Sequence, residues 1–146
     1  ACPMAVPGMW RAVIHACKSP CHQMFVDYRG SLLPSHPEYL WAQRGRELAL
    51  NLIDPPLPLF KVQSFTAAMD FMDAFPEGDP LLVHCNQGES RAPSIILLYM
   101  AKRLKSIPND DYATARAVFE ALVPPGSYRP GKGISIFLDQ AWGSIS

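Results

Sequence analysis

The run Val83-His84-Cys85-Asn86-Gln87-Gly88-Glu89-Ser90-Arg91-Ala92-Pro93-Ser94 sets one cysteine six residues ahead of one arginine, with a polar, glycine-containing stretch between them. A loop this tight, leaving a strand and entering a helix, can turn the backbone N–H groups of Asn86, Gln87, Gly88, Glu89, Ser90 and Arg91 toward one point. Successive N–H donors form a nest, and the helix N-terminus adds partial positive charge, so the loop is a cradle for an anion. The planar fork of Arg91 suits two oxygens of a phosphate. The same field favours the thiolate of Cys85. A thiolate on the floor of an oxyanion cradle is placed to attack phosphorus, and the donors around it would stabilise charge in the transition state. The plainer reading is a buried structural cysteine with an unrelated arginine.

For this to work, Cys85 must end a strand and Arg91 must begin a helix. Residues 81–84, Leu-Leu-Val-His, form a short apolar run bounded by turn residues, as expected for a strand buried on both faces. Residues 91–105 read as a helix that is apolar on every side over 95–100, hence central in the core. Pro93 falls in its first turn, where the missing N–H costs little. Upstream, residues 10–16 read as a first strand and residues 18–35 as a long loop with a short apolar patch at Met24-Phe25-Val26 that suits a strand. Ser35, Pro37 and Glu38 resemble a capping box opening a helix that Gly45 would end. Residues 47–53 read as a second strand stopped by Asp54-Pro55-Pro56. Residues 64–75 carry Phe65, Ala68, Met69, Met72 and Phe75 at helical spacing. Two further helices are expected over 110–122 and 134–142. The order implies one α/β domain over residues 1–146, with a small, mostly parallel central sheet flanked by helices.

His84-Cys85 followed by five residues and Arg91 resembles the H-C-x5-R signature of the cysteine-based protein tyrosine and dual-specificity phosphatases. The late position of the loop and the single-domain length resemble the compact dual-specificity branch, including bacterial and phage forms. The likeness is strong over residues 47–103 and faint elsewhere. It implies the tyrosine phosphatase fold and hydrolysis of phosphotyrosine, with phosphoserine and phosphothreonine as further substrates, through a cysteinyl-phosphate and without a metal or cofactor. It also implies an aspartate about thirty residues before the cysteine that protonates the leaving group and then activates water. Asp54 follows a strand and fits that spacing, because parallel strand ends meet at one edge; otherwise it merely caps a turn before Pro55. Asp70, Asp73 and Asp79 are placed less well. His84, by the same resemblance, orients Cys85; otherwise it is a satisfied core histidine.

Four features depart from that pattern or stand outside it. The residue after the arginine is usually Ser or Thr, whose hydroxyl helps the thiolate leave. Here it is Ala92, so slow breakdown of the phosphoenzyme is expected, with Ser90 or Ser94 as substitutes. Glu89 in the cradle must point away from a bound phosphate. His15, Cys17, Cys21 and His22 crowd eight residues, but they lack the second half of a zinc site. Cys17 or Cys21 could instead trap an oxidised Cys85 as a disulfide. Tyr28, Arg29 and Tyr39 are candidate rim contacts, or part of a solvated loop.

Composition narrows the alternatives. Thirteen Lys+Arg balance thirteen Asp+Glu, which argues against nucleic-acid and polybasic membrane binding. With 49% apolar and 18% charged residues the chain can bury a core. Its longest apolar run, Ile95 to Ala101, is far short of a membrane span, and the opening residues lack a signal-peptide layout. Four cysteines are too few for a disulfide scaffold, so a cytoplasmic setting is the expectation. The implied partner is a phosphorylated protein or peptide. A cradle without Lys or Arg between Cys85 and Arg91 argues against inositol phosphates. A phosphopeptide-binding module, a phosphatase for a non-protein monoester and a sulfur-transfer or arsenate-reducing enzyme remain as alternatives.

Overall fold

A computed structural model describes Cys2 and residues 9–146. Among these, four strands form one sheet in the order β2-β3-β1-β4: β1 (Ala12–His15), β2 (Trp41–Arg44), β3 (Glu47–Leu50) and β4 (Leu81–His84). β1 is parallel to β3 on one side and to β4 on the other, with His15 opposite both Ala49 and His84. β2 pairs antiparallel with β3. The C-terminal ends of the three parallel strands therefore share one edge, and Cys85 leaves from it.

Alternation along β1 decides what each face meets. Ala12, Ile14 and Ala16, with Leu48 and Leu50 of β3, point into the main core under helices α2 (Val62–Asp73), α3 (Arg91–Lys102), α4 (Tyr112–Leu122) and α5 (Lys132–Ala141). Ile95, Leu97, Leu98 and Ala101 of α3 are essentially inaccessible, so this helix is central, as its all-apolar stretch requires. Val13, His15 and Ala49 are equally buried on the other face. That face is covered by a wide turn over Lys18–His22 running directly into a single helical turn, α1 (Gln23–Val26).

Three expectations are corrected. The apolar patch Met24-Phe25-Val26 is helical, not a strand: Phe25 packs its ring 5.1 Å from that of His15, so the patch shields the second face of the sheet. The helix expected from Ser35 to Arg44 is replaced by turns and strand β2. Gly45, with φ 61°, opens a two-residue hairpin turn between Arg44 and Glu47, which are paired opposite each other. Glu38 spends its carboxylate on the Arg44 guanidinium (2.6 and 3.0 Å) instead of capping a helix. Lastly, β4 is an edge strand among the described residues, half-buried along its length, because no described strand lies beyond it.

Elsewhere the helices fall within three residues of their expected ends: α2 and α5 begin two residues earlier than expected, and α3 stops three residues sooner. Asp111 caps α4 by accepting from the Thr114 N–H at 2.7 Å. A disulfide joins Cys2 to Cys21, with Cα atoms 5.8 Å apart, against the expectation that the cysteines stay reduced. Cys17 and Cys85 are free. Among the described residues, no helix is long and apolar enough to cross a membrane.

Candidate active site

β4 delivers Cys85 to the sheet edge, and residues 86–90 turn the chain into α3. Asn86, Gln87 and Gly88 are exposed, whereas Ser90 and Arg91 are buried. Gly88 takes a positive φ of 72°, as the turn requires. The N–H of Ala92, the second residue of α3, points at the Cys85 sulfur, with N···Sγ 3.5 Å. The helix end thus directs one N–H at the sulfur, and its dipole places partial positive charge there.

Arg91 is 8% exposed. Its Nη1 donates to the Leu52 carbonyl at 2.9 Å, which locks the guanidinium against the segment that follows β3. The same carbonyl accepts the Lys18 N–H at 2.8 Å and so ties the wide turn after β1 into the site. Arg91 Nε is buried and has no partner among the described residues. Leaving such a donor unsatisfied costs about 1–3 kcal/mol, and an anion in the cradle would remove that cost.

Asp54 is exposed, four residues beyond the end of β3, and lies against Gly131, the residue just before α5. A Cβ built on Gly131 would lie 2.4 Å from Asp54 Oδ1. The Gly131 N–H donates to Ser90 Oγ at 2.8 Å, and the Arg129 N–H donates to the Glu89 carbonyl at 2.8 Å. Behind them, a Cβ on Gly133 would sit 2.2–2.3 Å from the Leu57 and Pro55 carbonyls. The Asp54 loop is therefore seated on glycines at the start of α5. Sequence reasoning missed Gly131 and Gly133. Gly133 lies in the first turn of α5, where a glycine costs about 1 kcal/mol relative to Ala and so points to close backbone approach, but a helix read only from residue 134 leaves both glycines in the preceding turn.

The serines offered as substitutes for the missing hydroxyl at position 92 are engaged elsewhere. Ser94 is buried with Oγ 2.7 Å from the Tyr128 hydroxyl, which in turn meets the Tyr112 hydroxyl at 2.8 Å. Burial holds Tyr128 well above the usual tyrosine range. Ser90 Oγ receives the Gly131 N–H. The group in contact with the sulfur is the Ala92 backbone.

Behind Cys85 lies a chain of polar side chains, with His15 fully buried and His84 and Glu47 half-buried. His84 Nε2 is 2.6 Å from His15 Nδ1, and His15 Nε2 is 2.9 Å from Glu47 Oε1. Burial, then the neighbouring His15, push His84 down to about 4. Cys17 is buried, and burial raises its thiol; Arg91 and Cys85 both act on it electrostatically, so it belongs to the same neighbourhood. Cys21 is held by Cys2 and is no longer available to Cys85. His22 is turned to the Tyr28 hydroxyl (2.6 Å) and the Glu38 carbonyl (2.8 Å), so the four-residue zinc cluster considered from sequence does not assemble. Of the rim candidates, Tyr39 lines a cleft of about 330 Å³ with Lys18, Asn51, Leu52 and Lys61, beside the Arg91 anchor. Tyr28 and Arg29 line a different depression. The larger cavity of about 480 Å³, between Trp41 and Phe71, contains none of the site residues.

No family model and no curated protein matches the sequence. Solved structures do. The human tyrosine phosphatase-like serine/threonine/tyrosine-interacting protein aligns over 92% of this chain and 77% of its own, at 20% identity and a TM-score of 0.58. Human DUSP28 aligns over 93% and 76%, at 15% identity and 0.59. The Yvh1 phosphatase domain from Chaetomium thermophilum aligns over 92% and 80%, at 17% and 0.55. With β1, β3 and β4 parallel, and Cys85 and Arg91 bracketing the turn from β4 into α3, this chain has the fold of the cysteine-based tyrosine and dual-specificity phosphatases.

Proposed function

We propose that the protein hydrolyses phosphate monoesters on proteins, phosphotyrosine first and phosphoserine or phosphothreonine second, through a cysteinyl-phosphate. The observation that carries this is the buried Arg91 Nε left without a partner beside a sulfur that already faces a helix N-terminus. The phosphoryl group sits in the cradle of residues 86–91, and Arg91 spans two of its oxygens. The Cys85 thiolate attacks phosphorus. Asp54 protonates the departing oxygen and then, as carboxylate, takes a proton from the water that attacks phosphocysteine. The cradle N–H groups supply the transition-state stabilisation, where a single donor is commonly worth about 10²–10³ in rate. The cradle needs no metal. The exposure of Asn86, Gln87 and Gly88 suits a phosphate carried on a macromolecule.

The test is hydrolysis of p-nitrophenyl phosphate and of matched phosphotyrosyl and phosphoseryl peptides by wild type, Cys85→Ser and Asp54→Asn. Turnover that Cys85→Ser abolishes supports the reading; turnover that survives it does not. A binding-only module is favoured by Ala92, which lacks the hydroxyl, and would give tight phosphopeptide binding with no hydrolysis. The cytoplasmic setting expected from cysteine count is weakened by the Cys2–Cys21 disulfide, which favours an oxidising compartment.

A further inference from the structure

The cleft of about 330 Å³ beside the Arg91 anchor has no part in the chemistry proposed above. It shares the Leu52 carbonyl with the cradle. Arg91 Nη1 and the Lys18 N–H both donate to that oxygen, so the Lys18 backbone lies within about 6 Å of the guanidinium. Leu52, Phe60 and Ser64 form the buried part of the cleft, and Lys18 and Lys61 line it too. No aspartate or glutamate lines it, although acidic and basic residues are equal in number along the chain. Among the described residues neither ammonium has a carboxylate within ion-pair distance. Lys18 Nζ donates to Ser31 Oγ at 3.0 Å, which leaves two of its three hydrogens free. Helix α2 begins at this cleft, and its N-cap residue Lys61 makes no side-chain cap. Ser64, in the first turn of α2, is 1% exposed, and its hydroxyl has no hydrogen-bond partner among the described residues. Two unpaired ammonium groups, an unpartnered buried hydroxyl and the positive end of a helix thus converge on one cleft, which suits an anion.

We propose that this cleft is a second substrate subsite, which takes the carboxylate of an acidic residue flanking the phosphorylated one, with Lys18 and Lys61 setting the specificity. This rests on the reading of the cradle as a site for phosphorylated protein. In an extended peptide, side chains two residues apart face the same way at a separation of about 7 Å. A phosphorylated residue in the cradle therefore carries a side chain two positions away toward the cleft that adjoins it. Lysine ammonium groups suit this role as point charges that need no fixed fork geometry. Ile53 and Leu59, both exposed, also line the cleft and match the aliphatic stem of a glutamate better than a bare inorganic anion. The subsite lies off the reacting atoms, so it holds ground state and transition state alike and acts on KM, not on kcat.

The test titrates Cys85→Ser with two labelled phosphotyrosyl peptides, which carry either glutamate or glutamine two residues to each side of the phosphotyrosine. The glutamate peptide should bind about fivefold tighter at low salt, the effect of one well-formed exposed ion pair or two weaker ones. At about 1 M salt, where screening acts within about 3 Å, the two should bind nearly alike. Adding Lys18→Met and Lys61→Met together should bring the low-salt ratio to about one. Lys105→Met, an exposed lysine beyond the far end of α3, should leave the ratio alone. Equal binding of the two peptides at low salt, or a preference that the double change leaves intact, overturns the proposal. Should the double variant not fold, Lys61→Met decides, since the ratio should fall to about twofold and an unaltered ratio refutes the subsite. Wild type that hydrolyses neither peptide, while the preference and its loss hold, would remove the phosphatase activity and leave the subsite standing. Hydrolysis of both peptides at equal kcat/KM would remove the subsite and leave the activity, and binding of neither would overturn both.

Discussion

Gly131→Ala isolates the placement of Asp54. Gly131 has φ −62° and ψ 161°, a conformation alanine accepts freely, so the backbone need not move. The new methyl would lie 2.4 Å from Asp54 Oδ1 and 3.0 Å from its Cγ. Ordinary contact needs about 1 Å more than the Oδ1 separation, and the exposed carboxylate is what yields. A misplacement of about 1 Å in a catalytic group can cost about 10²-fold, within the 10²–10⁴ commonly due to general acid–base help. The expected result is a loss of about 10²-fold in kcat on phosphotyrosyl peptide, whose phenol is a poor leaving group. The loss should be much smaller on p-nitrophenyl phosphate, which needs little protonation, and the melting temperature should be nearly unchanged. In an Asp54→Asn background the same alanine should add little, because both changes remove one function. Equal losses on the two substrates, or full additivity with Asp54→Asn, would refute the placement of Asp54 as acid.

Other consequences follow from the same geometry. His84 sits at about 4 in the folded protein against 6.5 unfolded, so neutral His84 supports the fold above pH 6.5 and that support is lost as pH falls toward 4. The full shift would be roughly 3 kcal/mol, which solvent screening of the partly accessible ring reduces to about 1–2 kcal/mol. Urea midpoints should fall between pH 7 and pH 4.5 by more in wild type than in His84→Gln, and equal falls would contradict it. Rapid mixing with p-nitrophenyl phosphate should show a burst from slow phosphocysteine breakdown, and Ala92→Ser should shrink it; a linear wild-type trace contradicts the role given to the missing hydroxyl. Reducing the Cys2–Cys21 bond, which spans 19 residues of sequence, should cost about 3 kcal/mol of stability in denaturant, and an unmoved midpoint in dithiothreitol would show that the bond does not constrain the unfolded chain.

The parts most legible in sequence were those where pattern and chemistry coincide. β4, the cradle and α3 are a contiguous apolar strand, a polar turn and an apolar helix, and Cys85 and Arg91 are fixed by that continuity. The misread segment, residues 35–44, shows why local signals mislead. Ser, Pro, Glu and a later Gly fit both a capped helix and turns followed by a hairpin, since a helix end and a tight hairpin both call for positive φ at Gly45. Only pairing with β3 decides between them. β4 was expected to be buried on both faces because apolar composition reports burial, not the number of neighbouring strands. The Gly131 seat for Asp54 and the Glu47–His15–His84 chain were beyond reach for a different reason. Each joins residues dozens of positions apart through a register that the sequence does not display.

The central claim is that phosphate passes through the sulfur of Cys85. Acid quenching within the first turnover on an aryl phosphate, followed by peptide mass spectrometry, should find one phosphate on the peptide holding Cys85 and none on Cys85→Ser. Continued release of phosphate by wild type, with that peptide unmodified at every quench time, would contradict the account.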